Sequence, residues 1–464
     1  MSGAGPLIRG RADKVSKGIL LASLLAVLAL PFLLRPTEER HAEPVAPLPE
    51  RKLVIISPHW EGIREEFSRA FTEWTQNNFG HRTRIEWLDV GGTSDALRYV
   101  RSEFKRSPEG INIDLFFGGG LDPYLQLASE GLLSPCRLPA EILDRIPQDH
   151  SGIEIYDPEL RWFGTCLSGF GIIYNRKVLQ FLGLPEPRDW ADLAHPRYFT
   201  WVGSGDPRSS GSVHMAYEII LQAYGWEKGW ANIVRTAANV RNFSRSGGDV
   251  PVETALGEVA CGLAIDVYAW RQISEVGPER MGFVLPEGLT VVNPDSVAVL
   301  KGAPNRDLAE KFVAFVLSEH GQLLFVLKPG VAGGPKKFPL ARLPVIPGLA
   351  RERADDAAVT FDPFTWRGGF TYDAAKGSLR WIILNDLIGA TLIDTHQDLV
   401  AAWRAVKDRP PGSRLIAELT RPPVSEDDLL RMARENWSDA EFRARTRARW
   451  TAEARERYRR IAGE

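Results

Sequence analysis

Cysteine is scarce in this chain, with 3 in 464 residues, and so are methionine (4) and histidine (8). Cys136, Cys166 and Cys261 stand apart, and none has the spacing of a metal-binding motif. Charge of one sign is missing as well. The 57 basic and 59 acidic residues leave a net charge of -2, which gives no general field for nucleic acid, and no basic, aromatic-interleaved module occurs. There is no G-x-S-x-G elbow, no H-E-x-x-H and no C-x-x-C pair, so the common signatures of hydrolytic and thiol chemistry are absent. Only one long hydrophobic run occurs, Gly18 to Leu34, and no cysteine follows it, which excludes a bacterial lipoprotein anchor.

That run defines the N-terminus. Residues 1–17 carry Arg9, Arg11, Lys14 and Lys17 and are expected to stay in the cytoplasm. Residues 18–34 read as a transmembrane anchor or a signal sequence, with the uncleaved anchor preferred because no small-x-small cleavage site stands close behind. Residues 35–50 are a proline-rich linker, and the chain beyond them is expected on the periplasmic side of the inner membrane, or exported after cleavage. In that compartment Cys136 and Cys166, both near loop signals, are expected to form a disulfide, while Cys261 lies in an apolar run as a buried small residue.

With 44% hydrophobic and 25% charged residues the exported part is globular, and its length calls for two or more domains. From Arg51 strands alternate with helices. "KLVIIS" is followed by the amphipathic "EGIREEFSRAFTEWTQNN", with Ile63, Phe67, Phe71 and Trp74 on one face. "TRIEWLDV" and "IDLFFGGG" repeat the pattern, which predicts a parallel α/β sheet with ligands beyond the carboxyl ends of its strands. The loops there hold His59, Trp60 and Glu61, then Gly92, Thr93 and Ser94, then Gly118, Gly119 and Gly120. His59 is read either as a ligand contact or as a helix cap, and Trp60 either as a ligand cover or as core. The three glycines exceed what a tight turn needs.

A second α/β unit begins near "CLSGFGIIYNRKVL". Its most informative stretch, "GSGDPRSSGS" at residues 203–212, separates the strand pattern Tyr198–Val202 from a helix starting near Val213. Small residues before a helix expose amide hydrogens that have no intrahelical partner, at the positive end of the helix dipole. Asp206, Arg208, Ser209, Ser210, Gly211 and Ser212 therefore read as a seat for an anion, with Arg208 as its charged fork. The alternative is an ordinary cap in which Arg208 pairs with Asp206. Arg245, in the loop Ser244–Gly247, is either a further anion partner or a solvated surface residue. "GLAIDVYAW" reads as a strand on which Asp266 and Tyr268 face the same side. "VNPDSVAVL" returns to the first unit.

The ordered set "GIIYNRKVL", "WADLAHPRY", "GDPRSSGS", "ILQAYGWEKGW", "GEVACGLAID", "VAVLKGAPN" and "AEKFVAFVLSEHGQ" closely resembles bacterial extracellular solute-binding proteins of ABC importers. The nearest branch contains ferric-ion, phosphonate and sugar-phosphate binders, and the likeness covers roughly residues 51 to 345. The resemblance implies a two-lobed flytrap: lobe 1 over 51–165 and 290–345, and lobe 2 over 166–289. It also implies a small anionic solute as ligand, delivery to an ABC permease in the inner membrane, no cofactor and no catalysis. Ferric binders place two adjacent tyrosines at the position of Asp266-Val267-Tyr268. This chain has only Tyr268 there, so a ferric set would have to be His59, Glu61 and Tyr268, and an organic or phosphorylated anion fits better.

Residues 346–464 exceed the resemblance and read as a mostly helical extension. "SLRWIILNDLIGATLIDTHQDLVAAWRAV" is expected to pack on the first lobe. Ser425 and Ser438 are expected to cap helices, the second of them the arginine-rich "EFRARTRARWTAEARERYRR". Rival readings are an exported hydrolase working in the same cleft, with Glu61 and Asp266 as its only candidate carboxylates, and a sensory ectodomain.

Overall fold

The first three strands, Glu50–Ile56, Arg82–Leu88 and Leu115–Phe117, pair in parallel, with Glu50–Ile56 in the middle. This computed structural model describes residues 18, 21–30, 48–150, 152–366 and 369–463. The helical period of "EGIREEFSRAFTEWTQNN" places Ile63, Phe67 and Phe71 against that sheet with no exposure. Each such side chain contributes about 1.5–3 kcal/mol on burial. Trp74 lies at the edge of the same face, half-buried.

The sheet is mixed rather than parallel throughout. The return strand Val292–Leu300 runs antiparallel both to Leu115–Phe117 and to the long strand Phe163–Asn175. That long strand joins the two halves of the sheet: Gly169 pairs with Val292, and the next residue, Phe170, pairs with Ile265 of the strand Cys261–Ile265. Beyond it Cys261–Ile265, Val202–Gly205 and Val240–Ser244 are parallel again. The chain leaves the first half of the sheet along Phe163–Asn175 and returns along Val292–Leu300, so the two strands run in opposite directions.

Three local expectations are corrected. The strand before the small-residue loop starts at Val202 and takes in Gly203, Ser204 and Gly205, because Gly203 must lie close against Val250 and Val259. The strand "GLAID" ends at Ile265, and Asp266 opens the helix Asp266–Val276, so Asp266 and Tyr268 sit in a first helical turn. The last helix, Ala440–Ala462, is capped by Asp439, which accepts from the amides of Glu441 and Phe442, and not by Ser438. Ser425 does cap its helix, accepting from the Asp428 amide.

All three cysteines are free and buried. Cys136 belongs to an apolar cluster, whereas the Cys166 sulfur accepts a hydrogen bond from Arg342 Nε at 3.1 Å. The expected Cys136–Cys166 bridge is therefore absent, and burial pushes both thiols up to about 12.

The extension packs on helices from both halves of the sheet, not on the first half alone. Its helix Ala374–Ile388 lies against Asp122–Ser129 of the first lobe and Gly211–Tyr224 of the second. Trp381, Ile383, Leu384, Leu387 and Ile388 are all at most 1% exposed, so this helix is apolar on more than one side and needs more than one partner. Arg380, fully buried, donates to Glu218 at 2.7 Å, and His214 Nδ1 pairs with Asn385 Oδ1 at 2.7 Å.

Residues Met1–Pro49 form a unit separate from Glu50–Glu464. Within it residues 21–30 are helical, and Leu21, Leu24, Leu25, Val27 and Leu28 are exposed. The basic segment, residues 19–20 and 31–34 of the apolar run and residues 35–47 of the linker lie outside the described residues. Among the described residues no helix is long and apolar enough to cross a membrane.

Candidate functional site

The starts of three helices, Thr93–Arg106, Gly211–Tyr224 and Asp266–Val276, line one cavity of about 450 Å³, and the loops leading into three more, Glu61–Phe79, Asp122–Ser129 and Asp249–Leu256, complete its wall. The strand-to-helix loops of both lobes carry small residues, so the helix starts come close to one another. A Cβ on Gly211 would stand 2.8 Å from Thr93 across the cleft, and one on Gly247 would stand 2.6 Å from the Ser212 hydroxyl. Gly119 and Gly120 adopt φ of +98° and +82°, a region that side-chain-bearing residues avoid.

Of these helix starts, Gly211–Tyr224 is the one without a first-turn carboxylate. It has no acidic residue in its first turn and no side-chain cap. Asp95, Asp249 and Asp266 by contrast accept from loop or strand amides at their own helix starts. The first-turn amides of Gly211–Tyr224 have no acceptor within their helix, and Ser209, Ser210 and Ser212 line the cavity beside them.

The floor holds charges that the sequence reading did not single out. Asp295, on the return strand, accepts from His59 Nε2 at 3.0 Å, from the Gly120 amide at 2.9 Å and from Arg342. Burial alone would raise this carboxyl, but Arg342 and then His59 hold it well below the usual carboxylate range. Burial lowers the His59 imidazole despite Asp295. Two buried side-chain nitrogens on this floor, His59 Nδ1 and Asn293 Nδ2, have no hydrogen-bond partner. Arg245, exposed at the rim, adds a cation.

The expected site residues divide into two groups. His59, Gly92, Thr93, Gly119, Gly120, Ser209, Ser210, Gly211, Ser212 and Tyr268 line the cavity. Trp60, Glu61, Ser94, Gly118, Asp206, Arg208 and Asp266 do not. Trp60 packs between Phe338 and the Arg271 guanidinium, 4.5 Å from its ring. Glu61 is exposed on its helix. Ser94 accepts from Trp381 Nε1 at 3.3 Å. Gly118 lies under the His59 ring. Asp266 accepts from the Gly169 amide at 2.8 Å, and burial pushes its carboxyl up to about 7.

Arg208 is the largest correction. Its guanidinium donates to Asp206 at 2.7 Å and to Asp394 of the extension at 2.9 Å. Two carboxylates satisfy it, so the pairing reading of this arginine holds and its role as an anion fork does not. The ferric set fails to assemble because Glu61 lies outside the cavity, and among the described residues no group of three His, Cys, Asp or Glu could hold a metal.

A signal for the missed floor was present. Asn293 and Asp295 alternate in the strand pattern "VNPDSVAVL" and so share a face, and Arg342 is a lone charge in "FPLARLPVIP".

The profile described as bacterial extracellular solute-binding protein matches residues 112–333. The phosphoglycerate transport regulatory protein PgtC of Salmonella typhimurium is 32% identical over 179 residues, 39% of this chain and 43% of that protein. The chain thus matches less than half the length of that relative. An uncharacterized protein of Haemophilus influenzae is 30% identical over 257 residues, 54% of this chain and 71% of the relative. Among solved structures, the periplasmic binding protein AfuA of Actinobacillus pleuropneumoniae, with exogenous fructose-6-phosphate bound, superposes with a TM-score of 0.58. It shares 22% identity and covers 78% of this chain and 99% of its own, a likeness of fold. The chain belongs to the bacterial extracellular solute-binding proteins. Its fold is the mixed α/β fold of periplasmic binding proteins, with a helical C-terminal region.

Proposed function

We propose that this protein is the extracytoplasmic receptor of an ABC importer and captures a small organic anion, phosphorylated or phosphonate-bearing, in the cleft between its lobes. The observation that carries this reading is the meeting of three helix N-termini at one cavity, one of them with neither an acidic first-turn residue nor a side-chain cap. Each N-terminus presents partial positive charge and unpaired amides, and a low-dielectric cleft strengthens their sum. Arg245 at the rim and Arg342 in the floor add formal charge. Asp295 neutralises Arg342, so the uncapped start of Gly211–Tyr224 and Arg245 are the favoured seat of the anionic group. The unpaired nitrogens of His59 and Asn293 then suit polar groups on the body of the solute.

The relatives point the same way, since PgtC is named for phosphoglycerate transport and AfuA holds fructose-6-phosphate. No catalytic step is part of this reading. The apolar segment 18–34 keeps the receptor at the periplasmic face of the inner membrane, or is removed as a signal; the mass of the mature N-terminus distinguishes the two.

A thermal-shift panel of phosphoglycerate, fructose 6-phosphate, a simple alkyl phosphonate, neutral sugars and ferric salts tests the solute class. Ligands that bind only the native state raise its melting temperature. The phosphorylated or phosphonate compounds are expected to raise it and the neutral sugars are not. A shift with ferric salts alone would replace this reading with iron transport.

A further inference from the structure

A second cavity, of about 250 Å³, opens between the helix Thr93–Arg106, at Ser94, Leu97 and Arg98, the loop residue Arg208 and the extension. Leu97, Trp381 and Ile382 give it an apolar wall, with the Trp381 indole N–H at its edge on Ser94. Four arginines border it, and their charges are not equally matched. Arg98 pairs with Asp95, and Arg208 is held by Asp206 and Asp394. Arg443 and Arg447, one turn apart on the helix Ala440–Ala462, share the single carboxylate of Asp386.

Asp386 is already committed. It accepts from Arg443 Nε at 2.5 Å and from Trp437 Nε1 at 3.1 Å. Arg447 Nε is buried with no hydrogen bond, and the Asp386 oxygen stands 3.5 Å away. Two guanidiniums thus share one carboxylate, and although the Arg447 side chain is 40% exposed, its Nε is a buried donor without a hydrogen-bonded acceptor. Leaving such a donor unmet is costly, and an anionic oxygen would satisfy it.

We propose that this cavity is a second ligand site, for a small organic anion whose apolar or aromatic body lies on Trp381, Leu97 and Ile382 and whose phosphate or carboxylate head meets Arg443 and Arg447. The ligand touches the helix Thr93–Arg106 and the extension at once. The inference stands apart from the nature of the solute in the main cleft, because it shares no lining residue with that cavity.

Phenyl phosphate is the probe, followed by calorimetry and by the indole N–H resonances of the protein labelled on its 14 tryptophans. The Trp381 resonance, assigned with Trp381→Phe, is expected to shift on titration. Arg447→Gln, which keeps the Arg443–Asp386 contact, is expected to weaken binding at least tenfold, the loss of a charge-assisted bond. Arg443→Gln with Arg447→Gln is expected to weaken it further. Inorganic phosphate, lacking the ring, is expected to bind at least tenfold more weakly than phenyl phosphate. Binding that leaves the Trp381 resonance still, or that Arg447→Gln leaves intact in a protein of unchanged melting temperature, would place the probe elsewhere and overturn the proposal. So would the absence of any binding by the wild type.

Discussion

The loop Asp206–Ser212 has two sides with opposite chemistry. Towards the cleft it shows serine hydroxyls and the uncapped start of the helix Gly211–Tyr224, in a space with room for a ligand. Towards the extension it shows Arg208, whose guanidinium is closed off by Asp206 and Asp394. A few residues thus hold both a binding surface and a structural clamp, and the number of partners tells them apart. An uncapped set of amides beside a cavity awaits a ligand, whereas a cation between two carboxylates is already satisfied.

If the extension side is structural, the largest stability effect belongs there. Arg380→Ala leaves Glu218 buried without its cation, and the cost expected by urea denaturation is about 3–5 kcal/mol. Solute affinity should change little in the surviving folded protein. Arg208→Ala should cost less, about 1–3 kcal/mol, because Asp206 and Asp394 keep partial access to water.

The same junction should show in the pH dependence. Burial, and then Glu218, pushes the Asp122 carboxyl up to about 8, facing Tyr372, with Arg380 and His214 close by. A raised folded value means stability is fully present below the unfolded value of about 4 and is lost as pH rises through about 8. His214 acts in the opposite sense: burial lowers it to about 4, so its contribution is lost as pH falls from about 6.5 towards 4. Between roughly pH 6.5 and 8 the Asp122 effect is unopposed by His214, and denaturation should show stability falling by up to about 1.4 kcal/mol per pH unit. Asp122→Asn should remove that slope above about pH 7, the value to which burial raises Asp266. The smallest effect is expected on the cleft side, where Ser210→Ala removes one neutral hydroxyl and weakens solute binding by about 1 kcal/mol in calorimetry.

The fold was legible where information is local. Strand–loop–helix order, the three glycines and the small residues before Gly211 lie within a few residues of one another, and the cavity is built from those loops. The floor and the clamp were not legible, because their partners are remote. Arg208 meets Asp394 across 186 residues and His59 meets Asp295 across 236. The helix Ala374–Ile388 read correctly as apolar, but its own residues could not say that both lobes would cover it. Arg208 attracted the anion role because a permanent cation beside exposed amides suits one. Only the position of a distant aspartate decides against it.

Titration calorimetry of the tightest phosphorylated or phosphonate solute from the panel, into the wild type, Arg245→Ala and Arg208→Ala, tests the central claim most directly. Arg245 stands at the rim of the cleft with no ion pair among the described residues, so its removal should weaken binding at least tenfold and leave stability within about 0.5 kcal/mol. Arg208→Ala, though less stable, should bind within about twofold of the wild type. The reverse outcome, normal binding by Arg245→Ala and lost binding by a folded Arg208→Ala, would contradict the division between the two sides of the loop.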